Sequence, residues 1–271
     1  MKEKRSLSDP DLRQSQQFRA VSYFYDRLPA MITFVVLIAV WQAACTLKLV
    51  PPYMLPSPIS VIRAIISNRD QLFMHASCTL QEAFWGLVAG VILGCLFAIL
   101  MDAFEWLYKA LYPLLVITQT IPTIAIAPLL VLWFGYEMLP KIILIVLVGF
   151  FPMTVGLLAG FRSVDEDEIR LFRSMGANAF QIFVYLKWPT ALPEFFSALR
   201  IACAYSIVGA VIAEWLGGFR GLGVYMIRVK QAFQFDNMFA VILVISLLSL
   251  GLMKLVDLLQ RRIMPYKYLD Q

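Results

Sequence analysis

The chain has one histidine, His75, and four cysteines, Cys45, Cys78, Cys95 and Cys203, with no CxxC spacing among its 271 residues. Metal sites, thiol redox chemistry and disulfide frameworks need such residues in clusters, so all three are poor readings of this chain. No GxxxxGK[ST] run is present either, which leaves no loop able to cradle ATP phosphates. Charged residues are only 15% of the total. The basic ones are spread over many loops, with no basic stripe interleaved with aromatics, so nucleic acid is not an expected partner. Without a nucleophile or metal constellation, no catalytic residue can be named. His75 reads as an interfacial or packed histidine in an external loop.

What the chain has is apolar length. Hydrophobic residues make up 61% of it, and six runs approach the ~20 residues that cross a bilayer. They fall at about 30–50, 81–101, 111–134, 142–160, 198–216 and 238–259. This predicts an all-α integral membrane protein of about six transmembrane helices, with lipid as a constant partner. Sixteen of the 23 Lys and Arg lie on one side of that arrangement if both termini are cytoplasmic, which favours N-in and C-in. Residues 1–28 are then a cytoplasmic tail, 29–262 the membrane domain and 263–271 a second cytoplasmic tail. Up to about Gln17 the tail is polar and aperiodic, and reads as disordered or surface-lying. The first apolar run starts late and is long enough to span, so a cleavable signal peptide is not expected. A proline-stiffened external segment (51–58) and a short amphipathic surface helix (59–73) follow.

Two spans depart from bland lipid-facing sequence. Gly86, Gly90 and Gly94 recur every four residues, a spacing that lets another helix approach closely, most simply within the same chain. In the third run, Thr118, Gln119, Thr120, Pro122, Thr123 and Pro128 sit at membrane depth. Backbone groups freed there by proline must be re-satisfied by protein or face a wet cavity, so this segment is either a kinked packing helix or part of a pathway.

The 163–193 segment carries the most information. Ser163 and Glu166 have capping-box spacing, and Asp165, Glu166, Asp167 and Glu168 crowd a first turn where the helix dipole favours negative charge. Ile169, Phe172 and Arg173 share a face, and Gly176 arrives where a left-handed cap would end the helix. Asn178 can open a second helix, about 179–187, presenting Phe180, Phe183, Val184 and Leu186 before Pro189 interrupts it. A helix, a glycine turn and a second apolar helix make a knob that needs a cover, either a partner groove or the membrane surface.

Gly176-Ala177, followed by Leu186, Lys187, Trp188 and Pro189, resembles the cytoplasmic loop of ABC importer permeases, where an EAA triplet precedes the glycine and an I-x-L-P element closes the motif. Leu55-Pro56-Ser57-Pro58, Gln119-Thr120-Ile121-Pro122, Ala127-Pro128-Leu129, Trp133-Phe134-Gly135, Gly209 to Gly217 and Gly221-Leu222-Gly223 resemble the nitrate/sulfonate/taurine branch of that family. The likeness covers about 30–262. Two departures stand out: Arg170-Leu171-Phe172 occupies the EAA place, and Trp188 stands where the family has Leu. The resemblance implies a type I importer permease of the bacterial inner membrane that dimerises, as a homodimer, around a central pathway. A separate ATPase would bind ATP and grip the 163–193 loop as its coupling helix, and an external binding protein would deliver solute; no cofactor belongs to the chain itself. ATPase coupling would then involve Asp167, Glu168, Arg170, Gly176, Ala177, Phe180, Phe183 and Pro189, with Phe180 and Phe183 filling the groove and Asp167 or Glu168 standing in for the missing acidic contact. The pathway would be lined by Thr118, Gln119, Thr120, Ser206 and Glu214. Glu214-Trp215-Leu216-Gly217-Gly218, Gly221 to Met226, Phe233 to Asp236 and Met238-Phe239-Ala240 look most like permeases for thiamine pyrimidine precursors, with riboflavin next; neutral Thr and Gln at mid-span suit an uncharged heterocycle better than a sulfonate, taurine or nitrate anion. A secondary transporter would instead show internal repeats and ionisable residues deep in its spans, whereas Glu82, Arg200, Glu214, Lys254 and Asp257 read as lying near span ends.

Overall fold

The computed structural model describes residues 10–51 and 54–265, and every described element is helical. The outermost parts of both expected tails lie outside these residues. The chain divides into two compact units after Arg63. In the first, α1 (Pro10–Thr46) contains the first span, Leu28–Thr46. Helix begins at Pro10, so the part of the polar tail from there onward is helical rather than disordered. The indole of Trp41 donates to the Pro56 carbonyl at 3.1 Å, fixing the chain's return after α1.

The expected 59–73 surface helix is two elements. α2 (Pro58–Ser67) stops at Asn68, and Arg69 already opens α3 (Arg69–Ala103). Asn68 donates through Nδ2 both to the Ala64 carbonyl and to Asn237 Oδ1, at 3.1 and 2.9 Å, so its side chain closes one helix and ties it to a distant one. With 35 residues, α3 is far longer than the apolar run that signalled it. At 1.5 Å per residue it reaches about 52 Å, well beyond a ~30 Å hydrocarbon core. His75 and Glu82 are therefore on this helix, not in a loop or at a frayed span end.

The third run is broken, not kinked. α4 (Glu105–Thr118) and α5 (Thr123–Phe134) meet at 96° across four residues. Pro122 has no N–H to continue the ladder and pushes Ile121 out of helical geometry. The break is stitched by short turns, Gln119 N–H to Val116 O and Thr120 N–H to Ile117 O. The hydroxyls of Thr118 and Thr120 add bonds to the carbonyls of Leu115 and Ile117. Counted as one span, this pair raises five candidate crossings to six.

α6 (Met138–Arg162) is the axis of the second unit and packs along α3 on one side and α9 (Trp188–Leu216) on the other. Small residues permit both contacts. Added Cβ atoms at Gly86 and Gly94 would fall on Ile145 and Met153, and the Gly90 position lies 3.7 Å from the Val146 backbone. On the opposite face, a Cβ at Gly156 would sit 2.8 Å from Ala198 and one at Gly160 2.9 Å from Ala191. The first stripe is the one expected from its spacing; the second repeats the four-residue glycine spacing at Gly156 and Gly160 on α6 and meets alanines of α9. After α9 come α10 (Leu222–Gln231) and α11 (Phe235–Ile263), with α11 held to α9 by Arg200, which donates to Asp257 at 2.9 Å and to Gln260 at 3.0 Å.

Candidate functional site

The knob forms, with two changes in its wiring. α7 (Glu166–Ser174) is capped by Asp165, whose side chain accepts from the Asp167 N–H at 2.9 Å. Ser163 is instead the C-cap of α6, its hydroxyl donating to the Gly160 carbonyl, so the Ser163–Glu166 box does not exist. Arg170 pairs with Glu166 at 3.0 Å and Asp167 at 3.3 Å on the exposed face of α7. Gly176 adopts φ +82. Its N–H bonds Arg173 O and the Ala177 N–H bonds Phe172 O, the paired arrangement of a Schellman cap.

Asn178 then opens α8 (Ala179–Ile182) through a reciprocal box with Gln181, both bonds at 2.8 Å. The helix does not stop at Pro189. Phe183–Lys187 form a π-helical turn that runs into α9, with the Trp188 N–H reaching back to Phe183 O. Pro189 thus falls in the first turn of α9, where a proline needs no i−4 partner. The extra residue in this turn also sets which way the aromatics face. Phe180 is 73% exposed, together with Leu171, Met175 and Tyr185. Phe183 is half-buried against Phe161 and Trp188, with ring centroids 5.3 and 6.3 Å away. Phe183 therefore belongs to the bundle, and Phe180 alone of the expected pair stands on the knob's open surface.

Two ion pairs bind this region to the spans. Lys187 donates to both carboxylate oxygens of Asp102 at 2.8 Å, joining the π-helical turn to the end of α3. Arg162 reaches Glu105 at 2.9 Å and lies 3.5 Å over the Tyr108 ring. Displacing the knob must therefore load α3, α4 and α9 together.

At the opposite end of α9 the structure assembles a cluster that the sequence reading did not foresee. Lys141 on α6, 5% exposed, pairs with Glu82 on α3, 3% exposed. Glu214 on α9 is equally buried; it accepts from Thr79 Oγ1 at 2.7 Å and from the Gly223 N–H at 2.6 Å. Successive amides of the glycine-rich segment complete it. The Leu222 N–H donates to Thr79 Oγ1 at 2.9 Å and the Gly221 N–H to His75 Nδ1 at 3.1 Å. These are amides that a helix N-terminus leaves open, so the start of α10 is capped by side chains from α3 and α9. A side chain at Gly221 would overlap the Glu214 carboxylate, and one at Gly218 would sit 2.9 Å from Lys141 Nζ. Only a glycine backbone can close over these ions. His75 also stacks on Tyr225, centroids 5.0 Å apart. Burial pushes the Tyr225 phenol above its usual pKa, against an opposing effect of Arg228.

Of the residues expected to line a pathway, Thr118, Gln119 and Thr120 are exposed at the α4–α5 break. Ser206 is buried, its hydroxyl donating to the Cys203 carbonyl at 2.8 Å. Glu214 lies two residues from the end of α9, as expected, but is buried in the cluster rather than standing free in water. The signal that could have found the cluster was the presence of Glu82, Lys141 and Glu214 beside apolar runs, but sequence alone gives no measure of their mutual distance, because they lie on three different helices.

Candidate membrane spans packed through small residues, with a braced knob at one end, make this a multi-pass membrane protein. The family described as "Binding-protein-dependent transport system inner membrane component" matches residues 86–265, and the chain belongs to it. It is a permease subunit of an ABC importer, an inner-membrane protein that is not itself an enzyme: ATP hydrolysis belongs to a separate ATPase subunit, and an external substrate-binding protein is the other implied partner. The chain is 37% identical over 244 residues to the "Formylaminopyrimidine transport permease protein ThiX" of Halalkalibacterium halodurans, covering 90% of this chain and 97% of that protein. It is 31% identical over 263 residues to the "Riboflavin transport system permease protein RibX" of Chloroflexus aurantiacus, covering 95% and 97%. Among solved structures it is similar to the "Crystal structure of an amino acid ABC transporter with histidines", with a TM-score of 0.62 and 17% identity over 73% of this chain and 96% of that one, a likeness of fold.

Proposed function

We propose that this permease works as a homodimer and carries an uncharged or weakly basic heterocycle of the thiamine-pyrimidine class, handed over by the external binding protein. The single observation that supports this most is the 37% identity, across nearly the full length of both chains, to a formylaminopyrimidine permease. The exposed Thr118, Gln119 and Thr120 at the broken span are its candidate pathway surface, since such groups are costly against lipid. On this reading Leu171, Met175, Phe180 and Tyr185 form the surface that meets the ATPase, with Gly176 and Ala177 shaping the turn and Pro189 opening α9. Glu168 is the acidic contact best placed to serve it, because Asp167 is already paired with Arg170. Coupling is then mechanical: ATPase closure moves the knob, and the Lys187–Asp102 and Arg162–Glu105 pairs carry the load into the spans.

The test is uptake by cells that cannot make the thiamine pyrimidine, supplied with this permease and its partner ATPase and binding protein. Growth on formylaminopyrimidine and uptake of the labelled compound are expected. Uptake of taurine, sulfonates or nitrate in its place would move the substrate to the anionic side of the branch while leaving the permease role intact.

A further inference from the structure

Two adjoining hollows open where α9 ends. One, of about 430 Å³, is lined by Tyr136, Trp215, Gly217, Phe219, Val224 and Ile227 among others. The second, of about 400 Å³, lies along the end of α5 and shares Tyr136 and Leu216 with the first, so the two form one groove. Either alone falls within the ~300–1,000 Å³ usual for small-molecule sites. Three aromatic rings line the first hollow, Tyr136 from before α6 and Trp215 and Phe219 from the end of α9 and the turn after it. Trp215 is 40% exposed, Tyr136 60% and Phe219 80%, so each leaves surface uncovered for another ring. Tyr136 is seated by Gly217, where a Cβ would come within 2.7 Å of its ring.

The charge beneath the groove adds an independent constraint. Glu214 is one of the lining residues, and with Glu82 and Lys141 it forms the sealed cluster behind the Gly217–Gly223 backbone. An acidic side chain, Glu214, thus reaches the first hollow, and no lysine or arginine lines either one. An anion entering the groove would lose its hydration without gaining a cation. A planar ring of neutral or weakly positive character gains stacking and meets no repulsion.

We propose that this groove is a solute subsite of the permease, taking a planar, uncharged or weakly basic aromatic heterocycle by stacking on Trp215, Tyr136 and Phe219 and disfavouring anions. The inference rests on the heterocycle reading of the function and deepens it. The subsite would receive solute as it leaves the binding protein, ahead of the broken span.

The experiment measures uptake of labelled formylaminopyrimidine and of taurine by the complete transporter carrying Trp215→Leu, Tyr136→Leu or Phe219→Ala. Co-purification of the ATPase and the ATPase stimulation by loaded binding protein are recorded alongside. Heterocycle uptake is expected to fall by about tenfold, the size of one lost ring stack, with assembly and stimulated ATPase retained. Trp215→Phe, which keeps a ring, is expected to restore most of it. Phe219 is so exposed that its truncation leaves the fold intact, so Phe219→Ala decides the matter if the other variants misassemble. Undiminished heterocycle uptake in Phe219→Ala and the leucine variants would reduce the three rings to an interfacial aromatic belt and overturn the subsite, with the substrate reading untouched. A wild-type transporter that takes up taurine and not the heterocycle would overturn both.

Discussion

Lys141 shows how much one buried charge decides. Its ammonium is paired with Glu82 and lies against the backbone at Gly218, with Glu214 also in the cluster. Lys141→Met keeps the side chain's length but leaves two buried carboxylates with no cation, a change that costs about 3–5 kcal/mol in buried pairs. Lys141→Met/Glu82→Leu removes the pair together and is expected to recover most of that loss. Thermal unfolding of the purified permease in detergent checks this; a double variant no more stable than the single one would show that the pair does not act as a unit. Glycine substitutions separate two other effects at the same scale. At Gly176 a Cβ meets nothing within 4 Å, so Gly176→Ala tests the left-handed φ alone and should cost about 1 kcal/mol, with Gly176→Asn milder. At Gly221, φ +127 combines with overlap on the Glu214 carboxylate, so Gly221→Ala should be far more damaging in the same unfolding assay.

At the scale of elements, the π-helical turn Phe183–Lys187 governs how the knob faces. One surplus residue there rotates everything before it by about 100° relative to α9. It places Phe180 outward, Phe183 onto Phe161, and Lys187 against Asp102. Deleting Val184 should convert the turn to plain α-helix and swing the knob away from its ATPase, so the permease should remain in the membrane but no longer co-purify with the partner. Single truncations should divide in the same way. Phe180→Ala is expected to leave thermal stability unchanged and weaken ATPase retention; Phe183→Ala is expected to lower stability, because it opens a gap beside Phe161 and Trp188. Equal effects of the two on stability would contradict the facing described here. This turn also explains why the sequence misled at this point. Proline and glycine are read from sequence as stops: Gly135, Gly176 and Gly217 do follow helix ends and Pro122 separates α4 from α5, whereas Pro189 is absorbed because a widened turn precedes it. Proline chemistry was legible and its neighbours' hydrogen bonding was not.

For the whole molecule, the six apolar runs, the Gly86–Gly90–Gly94 face and the knob could be read from periodicity and composition, because each is local. Gly156 and Gly160 carry the same four-residue spacing, but their partners Ala191 and Ala198 and the buried cluster of His75, Thr79, Glu82, Lys141 and Glu214 could not be read, because each exists only once α3, α6 and α9 are set side by side. The pathway divides along the same line. Gln119 and Thr120 were singled out as polar groups at membrane depth, and they lie exposed at a 96° break whose geometry gives their backbone a reason to be there. Ser206 was singled out by position in its span, and its neighbours bury it. If α4 and α5 bend around a central water-filled route, Gln119→Cys and Thr120→Cys, in a chain with its four native cysteines replaced by alanine, should react with small polar thiol reagents. Their rate should change when the ATPase is trapped with nucleotide, since the load path through Lys187 and Arg162 ends on α3 and α4. Ser206→Cys should stay protected in every state, as should Ile207→Cys, a fully buried neighbour on α9. Protection at Gln119 and Thr120 throughout, in a transporter that still pumps, would assign the break to packing against a second subunit or lipid and move the solute's route off this face.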